Sequence, residues 1–366
     1  MIRWATGAAR RAASRYSQAA DLKWRQLPPF TVATRMSGRS SGPTVYYLAP
    51  HPNGTFGGVR NSYRHVDSLN AAGIPAAVVH AKKGYRCTWF ANSTRVMSAS
   101  DVVLGPDDLL VIPECYGPGL GGVPDGVRVV IFNQGAYITF DRVPYETTGA
   151  GAPYTGVPGL VGLLAVSQNN AELLRYTFPD LPVGVARPVI DPLLFHPADE
   201  PPARRIAYLT HRRPEEREQL RHILRARGLF DRWAETPIAG RSESETATIM
   251  RGSAIFLSFS QREGFGLPPA EAMASACFVI GYSGPAGREY FEPSDCISVP
   301  DGDLLAFARA VEDACAAHDD DPETFRKAGL AASERILARY SAELLRAELL
   351  AFYTPLVSGS RRSRDS

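Results

Sequence analysis

From residue 44 to about residue 300, short apolar runs alternate with amphipathic stretches. The runs at 44–49, 76–80, 109–113, 127–132 and 162–167 are almost unbroken, as are those at 205–210, 254–259 and 277–282, with a shorter one at 296–300. Unbroken runs of this length fit strands buried on both faces of a parallel sheet. Between them the period changes to that of a helix. Val59, Tyr63, Val66 and Leu69 keep a spacing of three and four, and Gly73 follows as a stop. Further helices are expected at 168–178, 214–228, 242–250 and 286–291, and after the turn at 264–269. Three more close the chain at 303–318, 322–340 and 341–353, the last with Ser341 as its N-cap. Alternation of this kind predicts an α/β protein of two Rossmann-like, doubly wound parallel-sheet domains facing across a cleft.

The divisions follow from composition. "RPVIDPLLFHP" (187–197) is rich in proline and lacks periodicity, which places a domain crossing there. The expected units are a basic extension and linker at 1–43, a first domain at 44–190 and a second at 191–340. A helix at 341–356, returning toward the first domain, and a disordered tail at 357–366 complete the plan. The first 25 residues carry Arg3, Arg10, Arg11, Arg15, Lys23 and Arg25 against one acid, Asp21. That pattern suits a transit segment, a helix on anionic lipid or a poorly ordered extension.

Net charge is +2, too mild to argue for nucleic acid. Cys87, Cys115, Cys277, Cys296 and Cys315 form neither a CxxC pair nor a zinc spacing, and read as reduced thiols of a cytoplasmic protein. No metal site is expected, since the D-x-D strings at 301–303 and 319–321 fall where aspartate caps helices.

The candidate chemistry concentrates in "REGFGLPPAEAMAS" (262–275), directly after a strand. Ligands of open α/β sheets sit at the carboxyl ends of strands. Gly264 and Gly266 let a ligand approach the main chain, and Pro268 and Pro269 suit the first turn of a helix. The exposed N–H groups of such a turn favour a diphosphate. A carboxylate can accept hydrogen bonds from two neighbouring hydroxyls, as a sugar or ribose diol offers. Glu263 and Glu271 are therefore both candidates for gripping a sugar or a ribose diol, although acids complementing a helix dipole would look the same in isolation.

"EGFGLPPAEAMA" resembles the E-x7-E signature of the GT-B-fold glycosyltransferases of family 4, the group 1 retaining nucleotide-sugar transferases. The resemblance implies that Glu271 holds the ribose hydroxyls and Glu263 the transferred sugar, with the backbone of Phe265, Gly266 and Leu267 along the diphosphate. It also implies an Arg and a Lys after the first strand of the second domain, to neutralise the departing phosphate. Here "THRRPEERE" stands in that place without a lysine, and Arg212, then Arg213, are the candidates. Gly57 and Gly58 resemble the family's glycine-rich loop at the donor phosphate. His51, Asn133 and Gln134 are candidates on the acceptor side, the last two standing where many members have a histidine. Neither Asn133 nor Gln134 can act as a base, which suits a retaining mechanism. Ala276 departs from the family, which usually has glycine there.

The implied function is transfer of a hexose or deoxyhexose from a nucleotide-diphosphate sugar to a glycan or lipid-linked acceptor, in envelope polysaccharide or glycoconjugate synthesis. The nucleotide sugar is a co-substrate and no cofactor is called for. Peripheral contact with anionic lipid at the inner face of the plasma membrane is one reading of the basic extension. The alternatives are a GT-B-fold sugar-nucleotide epimerase and a non-catalytic nucleotide-sugar-binding protein.

Overall fold

A computed structural model describes residues 25–33, 42–51, 56–141 and 143–362. The basic segment up to residue 24 lies outside the described residues, as do 34–41, 52–55 and the chain's last four residues.

The apolar runs form two parallel sheets. The first half contributes β2 (Val45–Leu48), β3 (Ala76–His80), β4 (Val96–Ser98), β6 (Leu109–Pro113), β7 (Arg128–Asn133), β8 (Leu160–Ala165) and β9 (Val183–Val185). Their spatial order is β4-β3-β2-β6-β7-β8-β9. The second half contributes β10 (Ala203–Leu209), β11 (Ala234–Ile238), β12 (Ser253–Phe259), β13 (Phe278–Tyr282) and β14 (Cys296–Ser298), ordered β11-β10-β12-β13-β14. Every residue of β2, β3, β6 and β12 is buried, which is why these strands read as unbroken apolar runs. The central helices are α1 (Gly57–Ala71), α2 (Gln168–Thr177), α3 (Pro214–Ala226), α4 (Glu243–Arg251) and α5 (Leu267–Ala274).

The aspartates of the two D-x-D strings make local protein contacts. Asp303 caps α7 (Leu304–Asp320) through Ala306 N, and Asp321 caps α8 (Pro322–Arg339) through Thr324 N. Asp301 pairs with Arg213.

Two boundary expectations are corrected. Part of the expected linker is packed structure: β1 (Thr31–Val32) pairs in parallel with β5 (Val103–Leu104), and Leu27, Phe30 and Val32 lie on the core of the first half. The expected tail is helical to Arg362, the end of α9 (Ala342–Arg362). Leu356 and Val357 pack against the core, and Arg128 donates to Leu356 O at 2.9 Å, so the helix has reason to continue past Tyr353. This helix crosses to the first half, where Tyr353 Oη lies 2.8 Å from Tyr47 Oη. Glu348 accepts from Arg187 N at 2.7 Å.

One core runs through both halves. It joins Val45, Tyr47 and Phe132 of the first to Phe265, Tyr290 and Tyr340 of the second, so the two sheets are held in one arrangement by shared apolar packing.

Ala276 shows what the fold requires at its position. After α5 it takes φ 61°, the left-handed conformation in which glycine costs least. A Cβ on Gly329 of α8 would come within 2.3 Å of Ala276 O, so the two backbones are pressed together there. Ala276→Gly relieves the strain of the methyl and is expected to stabilise the protein by about 1 kcal/mol. A thermal melt should show this as a rise in Tm; an unchanged or lower Tm contradicts the strain argument.

Candidate active site

The halves meet at the carboxyl ends of their strands. On one side are the start of α1, the residues after β7 and the start of α2; on the other is the turn between β12 and α5. The turn is built for close contact. A Cβ on Gly264 would lie 2.1 Å from Gln134 O, and one on Gly57 2.6 Å from Leu267 Cδ1. Ser167 Oγ donates to Gly264 O at 2.6 Å. Gly266, at φ 85°, is the N-cap of α5, and its carbonyl accepts from Tyr290 Oη at 2.6 Å. The Phe265 side chain is buried between Tyr290 and Tyr340, with ring centroids 5.3 and 4.8 Å away. It therefore anchors the turn from behind and leaves only its backbone toward the cleft.

Glu263 sits just past the end of β12. Its Oε1 lies 3.0 Å from Arg212 Nε, and its Oε2 accepts from Ser260 Oγ at 3.5 Å. Burial pushes its carboxyl above the ordinary range, while Arg212 pulls it back. Arg212, Ser260, Glu263, Pro268 and Leu209 line a small cavity at the ends of β10 and β12. Glu271, inside α5, is buried, and its Oε1 accepts from Arg60 Nη2 at 2.6 Å. Arg60 also binds Glu243 at the start of α4.

The two neighbouring arginines have different fates. Arg212 keeps 43% of its side chain exposed at the cavity. Arg213, placed with Arg212 in the leaving-group role from sequence, is taken up by structure. It adopts φ 37° at the N-cap of α3. Its guanidinium donates to Ser260 O at 3.2 Å and Glu216 at 2.9 Å, pairs with Asp301 and lies 4.6 Å over the Tyr282 ring. Arg217 holds the same loop from below, donating to Thr210 O and, at 3.0 Å, to Arg212 O.

On the first half, Gln134 faces the cleft. Its Nε2 donates to Gly58 O and its Oε1 accepts from Asn61 Nδ2, both at 3.1 Å. Asn133 does not, which corrects the sequence expectation. It is fully buried as the last residue of β7, where the strand's alternation turns it inward to Thr139 Oγ1 and Tyr154 Oη. His51 is exposed, 5.9 Å from the Tyr85 ring, and makes no contact with Glu263 or Glu271. Behind Gln134, Glu114 accepts from its backbone N at 3.0 Å, and burial pushes that carboxyl up to about 7. Ser260 and Tyr290 are not marked by the sequence, where nothing distinguishes them from other polar residues near strand ends.

Two Rossmann-like parallel-sheet halves opposed at their strand ends make this a GT-B fold. Residues 211–317, within the second half, match the family described as glycosyl transferases group 1. An 86-residue stretch is 41% identical to an alpha-1,6-glucosyltransferase of Actinobacillus pleuropneumoniae serotype 7 (strain AP76), covering 23% of this chain and 25% of that protein. The chain thus spans about a quarter of the curated relative it matches. Among solved structures, a sucrose-phosphate synthase of Thermosynechococcus elongatus superposes with TM-score 0.61 at 15% identity, over 87% of this chain and 100% of that one. TarM superposes with TM-score 0.62 at 9% identity, over 86% and 98%. HepE of Anabaena, in complex with UDP and glucose, gives TM-score 0.58 at 10% identity, over 85% and 99%. At these identities the structures speak for the fold alone.

No helix among the described residues is long and apolar enough to cross a membrane.

Proposed function

We propose that the protein is a retaining glycosyltransferase that moves a hexose, glucose foremost, from a UDP-sugar to a glycan or lipid-linked acceptor in envelope polysaccharide or glycoconjugate synthesis. The observation that carries the reading is the Gly264–Gly266 turn, with Glu263 and Arg212 at one end and Glu271 at the other. Glucose and UDP are favoured because the sequence relative is named an alpha-1,6-glucosyltransferase and HepE was solved with UDP and glucose.

In this reading Glu271 accepts from the ribose hydroxyls, and the first turn of α5 lies along the diphosphate. Glu263 accepts from hydroxyls of the transferred sugar. As the glycosidic bond breaks, negative charge collects on the leaving phosphate, and Arg212 offsets it from an already fixed position. The acceptor enters from the first half, past Gln134. Its hydroxyl gives its proton to the departing phosphate, so the amide of Gln134 needs only to orient. The close packing of the halves excludes water, which would otherwise hydrolyse the donor.

The test is incubation of the purified chain with UDP-, GDP-, ADP- and dTDP-sugars and a panel of glycan and lipid-linked acceptors. Product configuration is read by NMR. Turnover of UDP-glucose with the anomeric configuration kept is expected. Turnover of no donor would refute the transferase reading, and an inverted product would refute the retaining mechanism.

A further inference from the structure

Arg60 is the fourth residue of α1, on the first half, yet both its ionic partners belong to the second. Its guanidinium bridges Glu243, the first residue of α4, and Glu271, in the middle of α5. All three side chains are nearly dry, at 6% exposure for Arg60, 12% for Glu243 and 9% for Glu271. A buried group of charges of this kind is a poor source of stability, because desolvation cancels much of the attraction. Apolar side chains of the same volume would hold the halves together as well. The surroundings also fix the register. Gly57 and Gly58 let the first turn of α1 lie against Leu267 and Gln134, which sets Arg60 level with Glu271. One turn further, Arg64 sits 3.4 Å from Asp191, so the same helix face is anchored at a second point.

We propose that Arg60 is a positioning residue for ribose recognition, fixing the carboxylate of Glu271 from across the cleft so that selectivity for the nucleotide's sugar requires both halves. This rests on the reading of Glu271 as the ribose ligand. Arg60 takes one oxygen of that carboxylate, and a carboxylate has lone pairs to spare for a pair of hydroxyls. Glu243 holds the other arm of the fork, and the planar guanidinium passes that constraint to the carboxylate. Lysine, with one ammonium, would keep the charge and lose the bridge.

The experiment measures calorimetric affinities of the full chain for UDP and 2′-deoxy-UDP, in the wild type, Arg60→Gln and Arg60→Lys. A hydroxyl bonded to a carboxylate is worth about 10- to 100-fold in affinity, so the wild type should favour UDP by that ratio. Arg60→Gln should narrow the ratio to less than about 3-fold, with UDP itself weakened about 10-fold, and Arg60→Lys should recover part of the ratio. A contact that only holds the halves together would weaken both nucleotides equally. Arg60→Gln that keeps the wild-type ratio therefore overturns the inference while leaving the donor site standing. If Arg60→Gln fails to fold, Arg60→Lys carries the comparison: a ratio narrowed below the wild type's supports the inference, and an unchanged one overturns it. A wild type that binds UDP no better than 2′-deoxy-UDP, or binds neither, refutes the ribose role of Glu271 itself.

Discussion

Arg212→Ala is expected to lower kcat by about 10²- to 10³-fold, the usual cost of removing one fixed donor from developing charge. The Arg212 guanidinium pairs with Glu263 and stays partly open to the cavity, whereas Arg213 is tied to Ser260, Glu216, Asp301 and Tyr282. Arg213→Ala should instead act on the fold, costing about 2 kcal/mol, discounted because its partner Asp301 is exposed. Measuring kcat and Tm for both variants separates the roles. A collapse of Tm in Arg212→Ala, or a 10²-fold loss of kcat with normal Tm in Arg213→Ala, would reverse the assignment.

The pH profile gives an independent sign. Burial raises the Glu263 carboxyl and Arg212 lowers it. With Arg212 gone, the largest influence opposing burial is lost, with Ser260 and Arg213 left to oppose it, and Glu263 holds its proton to a higher pH. If ionised Glu263 serves turnover, the acid limb of the rate profile in Arg212→Ala moves to higher pH. A limb that stays in place, or moves down, contradicts that role for Glu263.

Much of this was legible in the chain. The buried strands announced themselves because both faces of a parallel sheet are covered, and "REGFGLPPAEAMAS" carried glycines, prolines and acids in an order that only a strand-turn-helix junction uses well. What the sequence hid was polar or directional. β11 reads "AETPI", with too little apolar character to stand out, and β4 and β9 are three-residue edge strands. Asn133 and Gln134 are chemically near-equivalent, and only the strand's alternation decides which faces the cleft. Arg212 and Arg213 part company because of one left-handed residue. For Arg60 the sequence allows a place facing the cleft but gives no sign of the two carboxylates that the fold brings to it from the other half.

The second large effect concerns Glu271. Its carboxylate is held from the first half by Arg60, and in the proposed function it is the nucleotide's anchor. Glu271→Ala removes two hydrogen bonds to ribose, each to a charged acceptor, and also leaves Arg60 with Glu243 alone. A loss of about 100-fold in nucleotide affinity follows, with the variant still folded because α5 keeps its apolar contacts through Ala270, Ala272 and Met273. The most direct test of the whole account is the calorimetric affinity for UDP of the wild type beside Glu271→Ala. Clear binding to the wild type and a loss of about two orders of magnitude in the variant are expected. Equal affinities, or a wild type that binds no nucleotide diphosphate, would contradict it.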